Sequence, residues 1–181
     1  DALVDANGAT LLSHALLSLF EDSSSMQTET GWTPAHALLE RDGRVVGGAP
    51  LYIKTHSMGE FVFDFEFADL AERSGIPWYP KLVGVVPATP ASGWRLLIDP
   101  KEDAAEASAL FLDAVDAFVL SEDLAGSHLL WVDPAWAAQI DRRWTPWIHQ
   151  GFEWRNDGSR DFETWLGTFS KNMRRNVHKE R

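Results

Sequence analysis

Apolar residues along the chain switch between two periods. Leu11, Leu12, Ala15, Leu16, Leu19 and Phe20 recur every three or four positions and predict a helix over 10–21, followed by a loop at Ser23–Ser25. Alternation then takes over. Ala35–Glu40 and Arg44–Lys54 read as two strands joined at Asp42-Gly43, a strong hairpin signal. Gly47-Gly48 and Pro50 interrupt the second strand and predict a bulge or a sheet edge. Phe61, Phe63, Phe65 and Phe67 recur at period two, with Asp64 and Glu66 between them, so 61–67 reads as an extended segment with one aromatic face. Ala68–Ser74 reads as a short helix stopped by Gly75.

Farther on, Lys81–Val86 is β-rich, Pro87–Gly93 is a loop, and Trp94–Ile98 is a further strand. Asp103–Leu120 is a long helix with Ala107, Leu110, Phe111, Ala114, Val115 and Phe118 on one side. His128–Val132 is a short buried strand, and Asp133-Pro134 supplies a cap and a first-turn proline for a helix to about Arg143. Trp147–Trp154 reads as a strand broken at Gly151. Asp161 caps a final helix that turns Phe162, Trp165, Leu166 and Phe169 inward and runs on through Met173 and Val177. This order predicts an α/β fold, a mixed central sheet with helices on both faces.

At 181 residues the chain is long enough for one domain with an appendage. Its nine tryptophans suit cores and half-buried clefts alike. The absence of cysteine excludes disulfides, thiolate catalysis and thiolate metal sites, and fits a reducing, cytoplasmic setting. No apolar run is long enough for a membrane span. Residues 1–170 carry 11 basic against 26 acidic side chains, whereas 171–181 carry five basic and one acidic. Bulk nucleic-acid binding is excluded everywhere but that tail. The six histidines lack metal-ligand spacing, and His128, opening an apolar strand, reads as a satisfied core residue.

The stretch "PLYIKTHSMGEFVFDFEFADLAERSGIPWYPKLVGVVPATPASGWRLL", from Pro50 on, resembles the FemAB-like N-acyltransferases, relatives of the GNAT acetyltransferase superfamily. The ending "FETWLGTFSKNMRRNVHKER" resembles the helix by which Fem-type proteins pass from a first GNAT-like domain to a second, and "LLERDGRVVGGAPLYI" and "LLWVDP" fit the same order. The resemblance implies a GNAT-like domain over 1–160 and an amphipathic basic helix over 161–181 leading to a second domain. It also implies transfer of an acyl or aminoacyl group to a small-molecule or peptide amine, from acyl-CoA or aminoacyl-tRNA. In Fem relatives the acceptor is a peptidoglycan precursor. The alternative is a non-catalytic domain that recognises a cell-wall or peptide ligand. Where a coenzyme A-binding GNAT fold has a glycine-rich loop, this chain has Asp99-Pro100-Lys101-Glu102-Asp103, with no glycine and three acids that repel a pyrophosphate.

Amine acylation needs a base for the attacking amine and a group to steady the oxyanion. Glu60, Asp64 and His56 are the candidate bases, with Ser57, Glu66 and Asp69 around them; the same residues also suit a solvated turn and a helix cap. Tyr79, Lys81, Thr89, Ser92 and Arg95, around the Pro87–Pro90 loop, are candidates for holding a carboxylate or phosphate, or for ordinary salt bridges. Lys171, Arg174, Arg175, Lys179 and Arg181 form an anion-binding tail suited to tRNA phosphates or a lipid headgroup. They suit equally a second domain, a second copy of the chain, or plain solvation.

Overall fold

The computed structural model describes residues 1–140, 144–148, 150, 154–156 and 158–181, and the chain forms two compact units, Asp1–Trp144 and Thr145–Arg181. The first is mixed α/β. Helix α1 (Ala2–Asn7) ends at Gly8, and a 3-10 turn at Thr10–Leu12 precedes α2 (His14–Asp22). The 10–21 periodicity therefore breaks at Ser13, whose hydroxyl accepts from the Leu16 amide and starts a new helix.

Strands β2 (Ala37–Arg41) and β3 (Arg44–Ala49) form the expected hairpin, with positive φ at both Asp42 and Gly43. The register shift between Leu39 and Glu40 leaves Val46 as an extra residue on β3, a bulge immediately before the Gly47-Gly48 pair. β6 (Leu97–Ile98) completes this sheet in the order β2-β3-β6. At Pro50 the chain leaves it for a second sheet, so 44–54 is two strands rather than one. That sheet holds β1 (Trp32–Pro34), β4 (Leu51–Lys54), β5 (Lys81–Gly84) and β7 (Ser127–Leu129), in the order β1-β4-β5-β7. β7 runs parallel to β5 and the other pairings are antiparallel.

The four-stranded sheet is covered on both faces. Leu51 and Leu82 point into a core completed by Trp94, Leu96 and the α4 (Ala104–Ser121) residues Phe111, Leu112 and Val115. Tyr52 and Val83, one residue on in each strand, point into a second core with Met26, Trp32, Val62, Val85 and Leu130. Gly84 is required where it stands, because a Cβ there would lie 2.3 Å from the buried Trp94 ring. That ring is fixed by its N–H, which donates to the Pro50 carbonyl at 2.9 Å.

The 61–67 segment is not a strand. Glu60, Val62 and Asp64 are buried and Phe61, Phe63 and Phe65 exposed, so the alternation is real. It arises from left-handed backbone at Phe61 (φ 58) and Phe63 (φ 53), before α3 (Phe65–Arg73) begins. Such a conformation costs roughly 1–2 kcal/mol per non-glycine residue. α5 is shorter than expected, Pro134–Ala137, under the Asp133 cap; its expected end near Arg143 lies outside the described residues.

In the second unit, none of the described residues from 145 to 156 lies in a strand; 149 and 151–153 of the expected strand are outside the described set. The final helix is two helices, α6 (Phe162–Gly167) and α7 (Lys171–Glu180), each with its own cap, Asp161 and Ser170.

Candidate functional site

One row of the four-stranded sheet builds the site. The register sets Trp32 opposite Lys54 and Lys54 opposite Lys81, with His128 beside Val83 on the next strand. These side chains share the face occupied by Tyr52 and Val83. Two lysines therefore stand directly across a strand pair, both at most 1% exposed, an arrangement that like-charge repulsion disfavours. Each has its own compensation. Lys54 Nζ lies 3.5 Å from the centre of the Trp32 ring and donates to the Met58 carbonyl at 3.1 Å. Lys81 Nζ donates to Asp64 Oδ2 at 2.8 Å, Ser57 Oγ at 2.8 Å and Glu60 Oε2 at 3.0 Å, with His128 Nδ1 at 3.3 Å.

The turn after β4 and the strained segment before α3 fold over this row and deliver the carboxylates. Glu60 and Asp64 are fully buried. The Trp131 indole N–H holds the Glu60 carbonyl at 2.8 Å, and the Trp78 indole N–H holds Asp64 Oδ2 at 3.1 Å. Glu60 Oε1 and Asp64 Oδ1 are buried with no hydrogen-bond partner; an orphaned acceptor of this kind costs about 1–3 kcal/mol.

Burial and the Lys81 contacts shift the two carboxyls in opposite directions. Burial pushes the Glu60 carboxyl above its ordinary range, against the opposing pull of Lys81. Burial also raises Asp64, but the hydrogen bonds and charge of Lys81 outweigh it and hold Asp64 below the usual value. Lys54 is lowered to about 8 by burial, with Glu60 opposing and Lys81 reinforcing the fall. His128 is lowered to about 4 by burial, aided by Lys81, and is neutral near pH 7. Glu60, Asp64 and His128 place three ligand atoms within 4.8 Å of one another, a spacing that suits a metal. The Lys81 ammonium stands among those same groups and supplies the positive charge there.

A groove of roughly 580 Å³ opens above the cluster between the 56–58 turn, α3 and the Pro77–Tyr79 segment. Ser57 and Tyr79 both line it, and their hydroxyls are 2.8 Å apart. Phe65, Ile76 and Trp78 give it apolar walls, with Asp69 and Glu72 at its rim. Ser57 thus joins the buried ammonium to the groove.

The candidate bases occupy different positions. Glu60 and Asp64 meet at Lys81. His56 lines the groove, but both ring nitrogens are engaged. Nε2 lies 2.9 Å from the Thr30 carbonyl, and Nδ1 accepts from the Met58 amide at 3.2 Å with Lys54 Nζ at 3.3 Å. Gly31 permits this packing, since a Cβ there would strike the His56 ring at 2.4 Å. The second group divides. Lys81 joins the carboxylates and Tyr79 joins Ser57, whereas Arg95 pairs with Asp133 at 3.1 Å and with the Asn7 carbonyl, Thr89 donates to the Pro87 carbonyl within its own loop, and Ser92 is exposed. Lys171, Arg174, Arg175 and Lys179 lie on α7, none of whose residues is buried; Arg174 donates to the Phe169 carbonyl at 3.0 Å. Nothing in the sequence marks Lys54, Trp78 or Trp131 as site residues, and His128 reads there as a core residue. Only the strand register, which sequence periodicity does not fix, brings His128 and Lys54 to Lys81.

The model of one protein family, described as FemAB-like, peptidoglycan biosynthesis/recognition, matches residues 1–181, in agreement with the resemblance read from Pro50 onward. No curated protein and no solved structure matches the chain.

Proposed function

The chain belongs to the FemAB-like family of peptidoglycan biosynthesis or recognition, and on that premise we propose that it transfers an acyl or aminoacyl group to an amine of a peptidoglycan-type peptide bound in the groove. The observation that carries this reading is the relay Lys81 Nζ, Ser57 Oγ, Tyr79 Oη, which runs from a buried ammonium to the groove wall. Lys81 donates to Ser57, and the Ser57 and Tyr79 hydroxyls share a hydrogen bond that either can donate; when Ser57 donates, the Tyr79 O–H is available to an acceptor in the groove. Attack of an amine on an acyl carbon places negative charge on the acyl oxygen, and a hydroxyl polarised by an ammonium is suited to steady it. Glu60 and Asp64, on the same ammonium, are the acceptors for the proton that the amine gives up.

Two features favour aminoacyl-tRNA over acyl-CoA as donor. The α4 N-terminus, where a pyrophosphate would sit in a GNAT-like fold, already spends its Ala105 and Glu106 amides on Asp103. The basic face of α7, with Lys171, Arg174, Arg175 and Lys179, suits tRNA phosphates. The work would then take place in the cytoplasm, and none of the described helices is long and apolar enough to cross a membrane.

The test is transfer to a peptidoglycan-type peptide from aminoacyl-tRNA or from acyl-CoA. Tyr79→Phe should lower kcat about 100-fold with KM little changed; an unchanged kcat removes the relay from the mechanism. One observation favours recognition without chemistry, namely that both carboxylates are fully buried and committed to Lys81. Saturable binding of the peptide with no turnover from either donor would establish that second reading.

A further inference from the structure

Three unusual features coincide in the short segment Met58–Asp64. Phe61 and Phe63 hold left-handed backbone that bulky side chains disfavour. Their rings gain little in return, being 41% and 72% exposed. Glu60 and Asp64 are fully buried, yet each leaves one carboxylate oxygen without a partner. What holds the segment down is a set of tethers: Lys54 to the Met58 carbonyl, the Met58 amide to His56, Trp131 to the Glu60 carbonyl, Trp78 to Asp64, Lys81 to both carboxylates, and the apolar anchor Val62. A segment that is strained, exposed on its apolar side and unsatisfied on its polar side stays closed through those contacts. Release relaxes the backbone and hydrates both carboxylates, while the sheet beneath keeps its own ladder.

We propose that Met58–Asp64 is a gate, closed in this structure, whose opening presents Glu60 and Asp64 to the groove lined by Ser57 and Tyr79. The inference rests on the proposed transfer reading for its purpose, since carboxylates sealed from solvent cannot take a proton from a bound amine. The motion itself is independent of that reading. Closed, the gate keeps the two acids on Lys81 and out of reach. Open, it frees them at the groove while Lys81 still holds Ser57, because Ser57 precedes the segment.

Carboxylate footprinting of the full chain tests the gate without any activity assay. The protein is treated at neutral pH with a water-soluble carbodiimide and glycinamide, and labelling of each acid is followed by peptide mass spectrometry, with hydrogen exchange in parallel. A gate predicts that Glu60 and Asp64 label, and that the 58–64 amides exchange, faster than the β5 amides Leu82–Gly84 allow for global unfolding. Trp131→Phe, which removes the donor to the Glu60 carbonyl, should speed labelling of both acids roughly fivefold, with β5 exchange changed less. If 58–64 opens only together with β5, in wild type and in Trp131→Phe alike, the gate is overturned. Labelling as predicted with no transfer from either donor would leave the gate standing and sink the transfer reading. Transfer that depends on Glu60, with no local opening, would do the reverse.

Discussion

Lys81→Met probes the buried cluster most directly, because one side chain compensates two fully buried acids. The substitution keeps length and apolar stem and removes ion pairs at 2.8 and 3.0 Å together with the bond to Ser57. Glu60, already raised by burial, would take up a proton and become neutral. Asp64 would be stranded, with the Trp78 indole as its remaining strong donor. Breaking a buried pair by removing one partner costs about 3–5 kcal/mol, so the melting temperature should fall by on the order of 10 °C for a chain of this size. The loss should depend on pH. In the wild type, Asp64 is held below its unfolded value and contributes stability above that value, which disappears as the pH falls through the folded one. In the variant its pKa moves above the unfolded value, so protonation relieves the strain and stability is regained on acidification. The gap between the two proteins should therefore be widest near pH 7 and narrow towards pH 4. Urea unfolding followed by tryptophan fluorescence at both pH values measures it. A gap below about 1 kcal/mol at pH 7, or one that does not narrow, would refute the ion-cage reasoning. Adding Glu60→Gln and Asp64→Asn to Lys81→Met should recover most of the loss, since neutral groups need no counter-ion.

Gly84→Ala should destabilise by about 3 kcal/mol, measured by the same unfolding assay, because the Trp94 ring it would strike is anchored to Pro50. Lys54, lowered by burial to about 8, binds fewer protons folded than unfolded, so stability should rise between about pH 8 and the ordinary lysine value of 10.5. Lys54→Met should abolish that rise in thermal unfolding scans.

Local signals read well from the chain. The hairpin at Asp42-Gly43 and the caps at Asp133 and Asp161 stand where residue chemistry puts them, because each depends on neighbours within a few positions. The 61–67 periodicity correctly separated buried from exposed residues and misjudged the backbone: alternating burial follows from left-handed turns as readily as from a strand. Glu60 and Asp64 stood out as closely spaced acids. Their partner Lys81 carries no sequence signal that ties it to them, because only the β4–β5 register and the turn folded over it bring 60, 64 and 81 together. His128 reads as a core histidine from the sequence; in the structure it is half-buried, neutral near pH 7 and packed edge-on against Trp78. Its contact with an ammonium is invisible without the parallel pairing to β5.

The cross-strand lysines have a bearing on how the molecule is held together. The last rung of the β4–β5 ladder, Lys54 against Lys81, brings together two cations whose repulsion is offset by acids from the chain between the two strands. That rung is neutralised from the 60–64 stretch, so the electrostatics of the sheet and the seating of those acids are coupled.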